Sequence, residues 1–375
     1  MIKLLNCSVA DFEERSNGGR IIPFGTGAWF KMLETPGMEF LANRCPYAID
    51  NSRQKSFIQL GKRDIPVFAP EALRTERDCI VLLTSPVYMY DMYQQLCALD
   101  CEGDIDCYCL AFMTLEQKAH STDAESEKAL ATVINENAEA GTARIPKIIH
   151  GFWFSGEEKP PEYKRCFDTW GDVCPGYKII EWNRDNYDCD KNPFVKRAIE
   201  CGAWAFAADY ARLDVLREYG GFYLDMDVEL LRPLDSLLSN RAVLPFSNSA
   251  TIDLAVIGSE PKNELLDRLL NLYANVDLPN TKDGFKVYFQ PSFIRRALID
   301  YGVEFNGCLQ IINGNAFVPR TFFYPMDYVT FTMSAKSDNT YAIHHDNFGW
   351  SPTGIDARAK KIKENRLLRS LISSE

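Results

Sequence analysis

Apolar runs and polar breaks alternate over the first stretch of the chain, about 115 residues, in a rhythm of short strands and helices. Residues 20–24 form an apolar run that ends in Gly25-Thr26-Gly27, and residues 28–34 follow with helical spacing. Residues 47–50 give a second strand. Residues 79–84 are almost continuously apolar, the pattern of a parallel strand buried on both faces. A helical pattern over 87–99 and a strand over 106–113 complete a βαβ alternation, which predicts a small parallel α/β unit. From 120 to 144 the chain turns polar and rich in Ala and Glu, with Ser121, Thr122 or Asp123 as a helix start, and reads as an inter-domain linker. A second α/β domain opens at Ile145-Pro146-Lys147-Ile148-Ile149-His150 and runs to Trp350. Within it, residues 203–219 hold strong helix formers and no breaker. Gly220-Gly221 stops that helix, and a strand follows over 222–228. The expected division is 1–119, linker 120–144, 145–350, and a basic tail 351–375. The tail carries Arg358, Lys360, Lys361, Lys363, Arg366 and Arg369, with Ile362, Leu367, Leu368 and Leu371 as an apolar stripe.

Composition supports this division. The chain has 375 residues, 46% hydrophobic and 25% charged, which suits folded domains with sizeable cores. The net charge is −11, from 41 Lys+Arg against 52 Asp+Glu, and this argues against a general nucleic-acid binder. It leaves room for an anionic ligand held through a metal ion. The opening residues become polar too soon for a signal peptide, and no apolar run reaches the ~20 residues a membrane span needs. The expectation is a soluble, unprocessed, cytoplasmic chain with its 12 cysteines reduced. Cys97, Cys101, Cys107 and Cys109 fit no common zinc spacing, and Cys107 and Cys109 read as small hydrophobes on a half-buried strand.

The candidate chemistry lies in the second domain. On a strand, residues two apart point to one side, so Asp225 and Asp227 converge. Converging carboxylates repel unless a cation lies near them. Oxygen ligands suit Mg2+ or Mn2+, which complete their shells with water and substrate phosphate. Taken alone, such a pair is equally a solvated strand end. Asp209 and Arg212 share one face of the preceding helix. They are either a surface ion pair worth under about 1 kcal/mol, or, if that helix packs beside the Asp225 strand, a grip for sugar hydroxyls.

Four blocks carry a family resemblance: residues 145–153 (Ile-Pro-Lys-Ile-Ile-His-Gly-Phe-Trp), 208–212 (Ala-Asp-Tyr-Ala-Arg), 220–228 (Gly-Gly-Phe-Tyr-Leu-Asp-Met-Asp-Val) and 341–350 (Tyr-Ala-Ile-His-His-Asp-Asn-Phe-Gly-Trp). In this order they resemble the DXD glycosyltransferases of the capsular-polysaccharide and yeast initiating α-mannosyltransferase type, similar to glycosyltransferase family 32. More distantly they resemble the catalytic domain of the large clostridial glucosylating toxins. The resemblance implies a GT-A nucleotide-sugar-binding fold, a nucleotide-sugar donor, retention of anomeric configuration, and Mn2+ (or Mg2+) as cofactor. It assigns Trp153 to stack on the donor base, Asp209 and Arg212 to the donor sugar, and Asp225 to the ribose or sugar and the metal. Asp227 becomes a metal ligand, and Trp350 a donor to a diphosphate oxygen. A histidine becomes the third protein ligand, His345 preferred over His344 for its five-residue separation from Trp350. Tyr223 and Gln290 complete the donor-binding set. By position alone, Gln290-Pro291 either lines the acceptor side or is a plain helix N-terminus. The family usually has a serine just before the tryptophan, where this chain has Gly349.

In the first domain, Gly25-Thr26-Gly27 sits where a dinucleotide-binding turn would, and Asp50 where a ribose-binding acid would. The third glycine is absent, since Phe30 stands at its position. The domain therefore resembles the Rossmann-like accessory modules in front of bacterial sugar-transfer enzymes, with scaffolding as its other role. The basic tail either touches an anionic membrane surface at the inner face, where lipid-linked acceptors reside, or is a solvated helix. The sequence thus predicts a metal-dependent retaining hexosyltransferase with a nucleotide-sugar donor, a UDP-sugar before GDP-mannose. Its acceptor would be a glycan or lipid-linked saccharide in surface polysaccharide synthesis. Two other readings stand beside it: an NAD-dependent oxidoreductase or epimerase using the Gly25 turn, and a non-catalytic nucleotide-sensing or interaction protein.

Overall fold

A computed structural model of the chain describes residues 1–34, 38, 40–52, 55–116, 143–345 and 355–372. Most of the expected linker and the whole 346–354 segment lie outside these. The chain divides into two compact units: Met1–Ser121 with Tyr328–Phe331 and Thr353–Glu375, and Thr122–Asp327 with Thr332–Pro352.

The first unit is built on a sheet of strands β1 (Ile2–Leu5), β2 (Arg20–Phe24), β3 (Ala48–Ile49), β4 (Phe57–Leu60), β5 (Arg63–Phe68), β6 (Cys79–Leu83) and β7 (Ile105–Cys109). Their order is β1-β7-β6-β2-β3-β5-β4, parallel except for the antiparallel β4–β5 edge pair. All five residues of β6 are buried, as its unbroken apolar run requires of a strand with neighbours on both sides. The 106–113 strand is shorter than its apolar run. After Cys109 the chain turns into the short Leu110–Met113 helix, whose four residues are all buried, so burial on every side hides the change of period. Residues Ala28–Glu34 form a 3-10 helix. Cys107 and Cys109 are fully buried in the core, and burial raises both thiols.

The Ile355–Ser370 helix also belongs to this unit. Leu368 is completely buried in the core with Val81, Leu83 and Val329. Lys361 pairs with Asp91 at 2.5 Å, Arg369 pairs with Glu116, and the Asn365 amide donates to the carbonyls of Pro86 and Val329. Part of the basic charge is thus neutralised within the unit, while Lys360, Lys363 and Arg366 stay exposed. No described helix is long and apolar enough to cross a membrane.

The second unit holds a mixed sheet in the order β15-β16-β12-β14-β10-β8-β9. Its strands are β8 (Ile148–Phe152), β9 (Lys178–Trp182), β10 (Gly221–Leu224), β12 (Ala242–Asn248), β14 (Val256–Ser259), β15 (Gln310–Ile312) and β16 (Asn315–Val318), with β13 (Thr251–Ile252) paired to β12. A separate two-stranded ladder joins β11 (Val228–Leu230) to β17 (Ala342–His344). The Trp204–Tyr219 helix ends at Gly220, whose φ of +66° caps it, and Gly221 follows at +105°. A Cβ on Gly221 would lie 2.6 Å from the Ile148 carbonyl oxygen, so glycine lets β10 pass close beside β8.

His150 pins this corner. Its Nε2–H donates to the Gly220 carbonyl at 2.9 Å, and its Nδ1 accepts from the Trp182 indole N–H at 3.0 Å, which assigns the tautomer. Burial, reinforced by Lys178 and opposed by the bond to Gly220, lowers its pKa to about 4. An unfolded histidine titrates near about 6.5. The folded pKa is depressed, so the stability it confers is complete above about 6.5 and drains as pH falls toward 4. Between pH 7.5 and 5 the native chain should lose about 2 kcal/mol through this group. Urea unfolding at the two pH values would show it, and a His150→Gln variant that retained the whole drop would refute it.

Candidate metal and sugar site

The 222–228 strand expected from sequence is interrupted. Strand β10 ends at Leu224, residues 225–227 form a turn closed by Val228 N–H to the Asp225 carbonyl at 2.9 Å, and β11 begins at Val228. Asp225 and Asp227 converge through that turn rather than through strand alternation. Two anchors fix it. The Asp225 N–H donates to the Ala255 carbonyl at 2.8 Å. Met226 buries its side chain in the core, where its sulfur would lie 2.9 Å from a Cβ on Gly151 and the Trp170 ring 2.8 Å. With Met226 facing inward, its two neighbours are left to face the site.

Strand β17 brings in the third group. His344 is the register partner of Val228, and its Nε2 lies 3.3 Å from Asp227 Oδ1. The donor atoms of Asp225, Asp227 and His344 all lie within 4.8 Å of one another. The Tyr324 ring meets the His344 ring edge to face at 5.3 Å. His345, which the sequence preferred, turns elsewhere: its Nε2 contacts Glu229 Oε2 at 2.7 Å.

The Trp204–Tyr219 helix packs beside this turn and supplies a buried ion-pair network. The Arg212 guanidinium reaches Asp209 at 2.9 Å and Asp225 at 3.4 Å, donates to the Leu254 carbonyl at 2.8 Å, and stacks 4.5 Å from the Tyr223 ring centroid. The Arg212 side chain is only 6% exposed, which excludes the surface-pair reading. The Tyr223 hydroxyl donates to Asp225 Oδ1. Burial pushes Asp209 up to about 7, with Arg212 opposing and Asp225 and Asp253 adding to it. Burial likewise raises Asp225 against the pull of Arg212, with Asp227 adding to the rise. The surrounding carboxylates outweigh desolvation at Arg212, which stays charged.

Residues 160–244 match the family model described as the glycosyltransferase sugar-binding region containing DXD motif. This segment is similar to the sugar-binding region of DXD glycosyltransferases. It contains Asp209, Arg212, Asp225 and Asp227. Inositol phosphoceramide mannosyltransferase 2 of Schizosaccharomyces pombe is 31% identical over 158 residues, 40% of this chain and 43% of the relative. The mannosyl phosphorylinositol ceramide synthase SUR1 of Saccharomyces cerevisiae is 28% identical over 159 residues, 41% of each chain. The matched stretch spans about two fifths of the length of these curated relatives. Among solved structures, the PaToxG glycosyltransferase is 17% identical, with a TM-score of 0.30 over 47% of this chain and 76% of its own.

The remaining sequence-assigned residues occupy varied places around the DXD turn. Trp153 follows directly on β8, the parallel neighbour of β10, so it leaves the same sheet edge as Asp225. Its indole N–H donates to the Glu157 carbonyl at 2.6 Å, and its ring lies beside Tyr163 and Lys159. Tyr223 lies beneath Arg212, almost wholly buried. Gln290 is also buried. Its amide donates to the Asp209 carbonyl at 2.9 Å, so it holds the helix that carries Asp209. Trp350 lies outside the described residues.

In the first unit, the Asp50 carboxylate accepts from the Thr26 N–H and hydroxyl, both at 2.6 Å, and from the Ser52 N–H at 2.7 Å. These bonds outweigh burial and hold the carboxyl below its usual range. The acid is thus engaged by the Gly25-Thr26-Gly27 turn itself. Gly25 is required by packing, because a Cβ there would lie 2.8 Å from the Thr84 hydroxyl oxygen.

Sequence reasoning missed Asp253, Tyr324 and Glu229. Asp253 lies just after β13, near enough to Asp209 and Arg212 to shift both, and Tyr324 donates to its backbone carbonyl at 3.1 Å. Neither residue carries a local signal. Glu229 does, as the third acid in the alternation Asp225-Met226-Asp227-Val228-Glu229.

Proposed function

We propose that the chain is a metal-dependent, retaining glycosyltransferase of GT-A type, moving a hexose from a nucleotide-sugar to a hydroxyl of a glycan or lipid-linked acceptor. The observation that carries this reading is the convergence of Asp225, Asp227 and His344 inside a DXD region, beside the buried Asp209–Arg212 pair. The two carboxylates suit Mn2+ or Mg2+, and the imidazole favours Mn2+, the softer of the two. The 3.3 Å between the Asp227 and His344 donor atoms fits adjacent positions of one coordination shell.

A bound divalent ion would neutralise the charge that collects on the departing nucleoside diphosphate. The chain's own residues do the rest. Arg212 fixes Asp209 and Asp225 in a water-poor corner where their acceptor oxygens can bind sugar hydroxyls. Trp153 offers a broad apolar face at the same strand edge for a nucleobase. The glycosyl C1–oxygen bond to the diphosphate breaks, the acceptor oxygen bonds to C1, and its proton leaves with the diphosphate or to water.

The mannosyl names of the relatives add weight to GDP-mannose beside the UDP-sugars favoured by sequence, and their ceramide names add weight to a lipid-linked acceptor. A role in surface polysaccharide synthesis, at or near the inner face of a membrane, follows if that acceptor is lipid-linked.

Purified protein incubated with GDP-mannose and a panel of UDP-sugars should release nucleoside diphosphate from one of them with Mn2+ and not with EDTA. Release unaffected by EDTA would overturn the metal-dependent reading. An absorbance or thermal-shift response to NAD, with no sugar-nucleotide turnover, would favour the oxidoreductase reading instead.

A further inference from the structure

Asp225, Asp227 and Glu229 bring three carboxylates to one short segment, yet only the first two converge with His344. The third is engaged by the neighbouring histidine. His345 contacts Glu229 Oε2 through Nε2 at 2.7 Å, while its backbone N–H donates to the Asp227 carbonyl at 3.1 Å. The two side chains are 21% and 29% exposed, so the bond is partly shielded from water. One residue upstream, His344 is tied by its N–H to the Phe323 carbonyl at 3.1 Å and pairs in register with Val228. Residue 345 therefore joins the C-terminal end of β17 to both ends of the Asp227–Glu229 segment, one bond from the backbone and one from the ring.

His344 lies 117 residues along the chain from Asp227, so only packing and pairing hold the ligand set together. The β11–β17 ladder is short, with three register pairs from Val228–His344 to Leu230–Ala342. His344 sits at its very end, where ladders fray most readily. A carboxylate–imidazole bond just beyond that end restrains the residue that must present the metal donor.

We infer that Glu229 and His345 form a positioning pair, not a ligand pair, which holds the His344 imidazole against Asp225 and Asp227. This rests on the metal site proposed above and adds two residues to it. Groups hydrogen-bonded directly to a metal ligand typically change metal affinity by about 10- to 100-fold when removed, and the lower end of that range is expected for a pair that acts through the backbone of the ligand residues.

The test measures Mn2+ binding to the full-length protein, without nucleotide-sugar, from the loss of the free-ion electron paramagnetic resonance signal. Glu229→Ala and His345→Ala should each raise the Mn2+ dissociation constant about tenfold or more. Glu229→Gln keeps an oxygen acceptor for the imidazole and should stay within about threefold of the native protein. The double alanine variant should lose no more than the worse single variant, because both remove one bond. Circular dichroism and melting temperature identify any variant that simply unfolds, and Glu229→Gln provides a folded comparison. Unchanged affinity in both alanine variants, with the native chain binding Mn2+, would overturn the pair and leave the metal site standing. Failure of the native chain to bind Mn2+ would overturn both.

Discussion

Asp227→Asn should lower metal-dependent donor turnover by about a thousandfold or more, equivalent to about 4 kcal/mol of lost transition-state stabilisation. Asparagine matches aspartate in shape and can still offer its amide oxygen to His344, but it brings no charge to a cation. Asp227 is 7% exposed and lies in the same cluster as Asp225, so in the absence of metal the two charges oppose each other. The metal-free variant should therefore melt no lower than the native chain, and higher if the repulsion dominates. Loss of activity together with retained stability is the signature of a residue selected for function at a cost to the fold. Donor hydrolysis followed by chromatography of the released nucleotide, with thermal melts in EDTA, would measure both. Activity within tenfold of native would remove Asp227 from the proposed metal shell.

Arg212→Ala should do the opposite to stability. The guanidinium is the partner that faces both Asp209 and Asp225, and it also covers the Tyr223 ring. Removing one member of a buried ion pair leaves uncompensated charge, a loss of about 3–5 kcal/mol. The carboxyl groups would escape that penalty by binding protons. Burial already holds Asp209 near 7 with Arg212 present, and without it the folded pKa moves further above the unfolded value of about 3.9. With a raised folded pKa the unpaired charge is costly above that pKa and is relieved as pH falls through it. The variant should thus be more stable at pH 6 than at pH 8 by urea unfolding, with donor turnover lost at both. A stability loss under about 1 kcal/mol would return the pair to the surface-ion-pair class.

The local elements were largely legible because each depends on neighbours in sequence. The 203–219 helix, its stop at Gly220, and the buried strand at 79–83 follow from helix formers, a positive-φ glycine and an unbroken apolar run. The misreadings have physical causes too. The strand across 222–228 was overextended because Met226 keeps the apolar pattern going through what is a turn, buried for its own reason against Gly151 and Trp170. The β4–β5 pair at the sheet edge went unseen because half of its residues face water and its strands lack a strong alternation.

The candidate site divides in the same way. Asp225, Asp227, Asp209 and Arg212 were visible as two motifs at short spacing, since residues two apart in an extended segment and three apart on a helix are brought together by the local chain. The choice between His344 and His345 was not, because adjacent residues on a strand point to opposite sides and only pairing of β17 with β11 fixes which side faces the aspartates. Asp253 and Tyr324 were invisible for the same reason: each reaches the site across strand pairings or loops that join residues far apart in sequence. The sequence alone determined the DXD pair, the helix that carries Asp209 and Arg212, and the α/β character of both units. The tertiary structure decided which histidine completes the cluster, that the Asp209–Arg212 pair is buried, and that the basic C-terminal helix docks its Leu368 into the first unit's core. Periodicity specifies which face a residue occupies, whereas the partner across that face is chosen only when distant segments pack and exclude water between them.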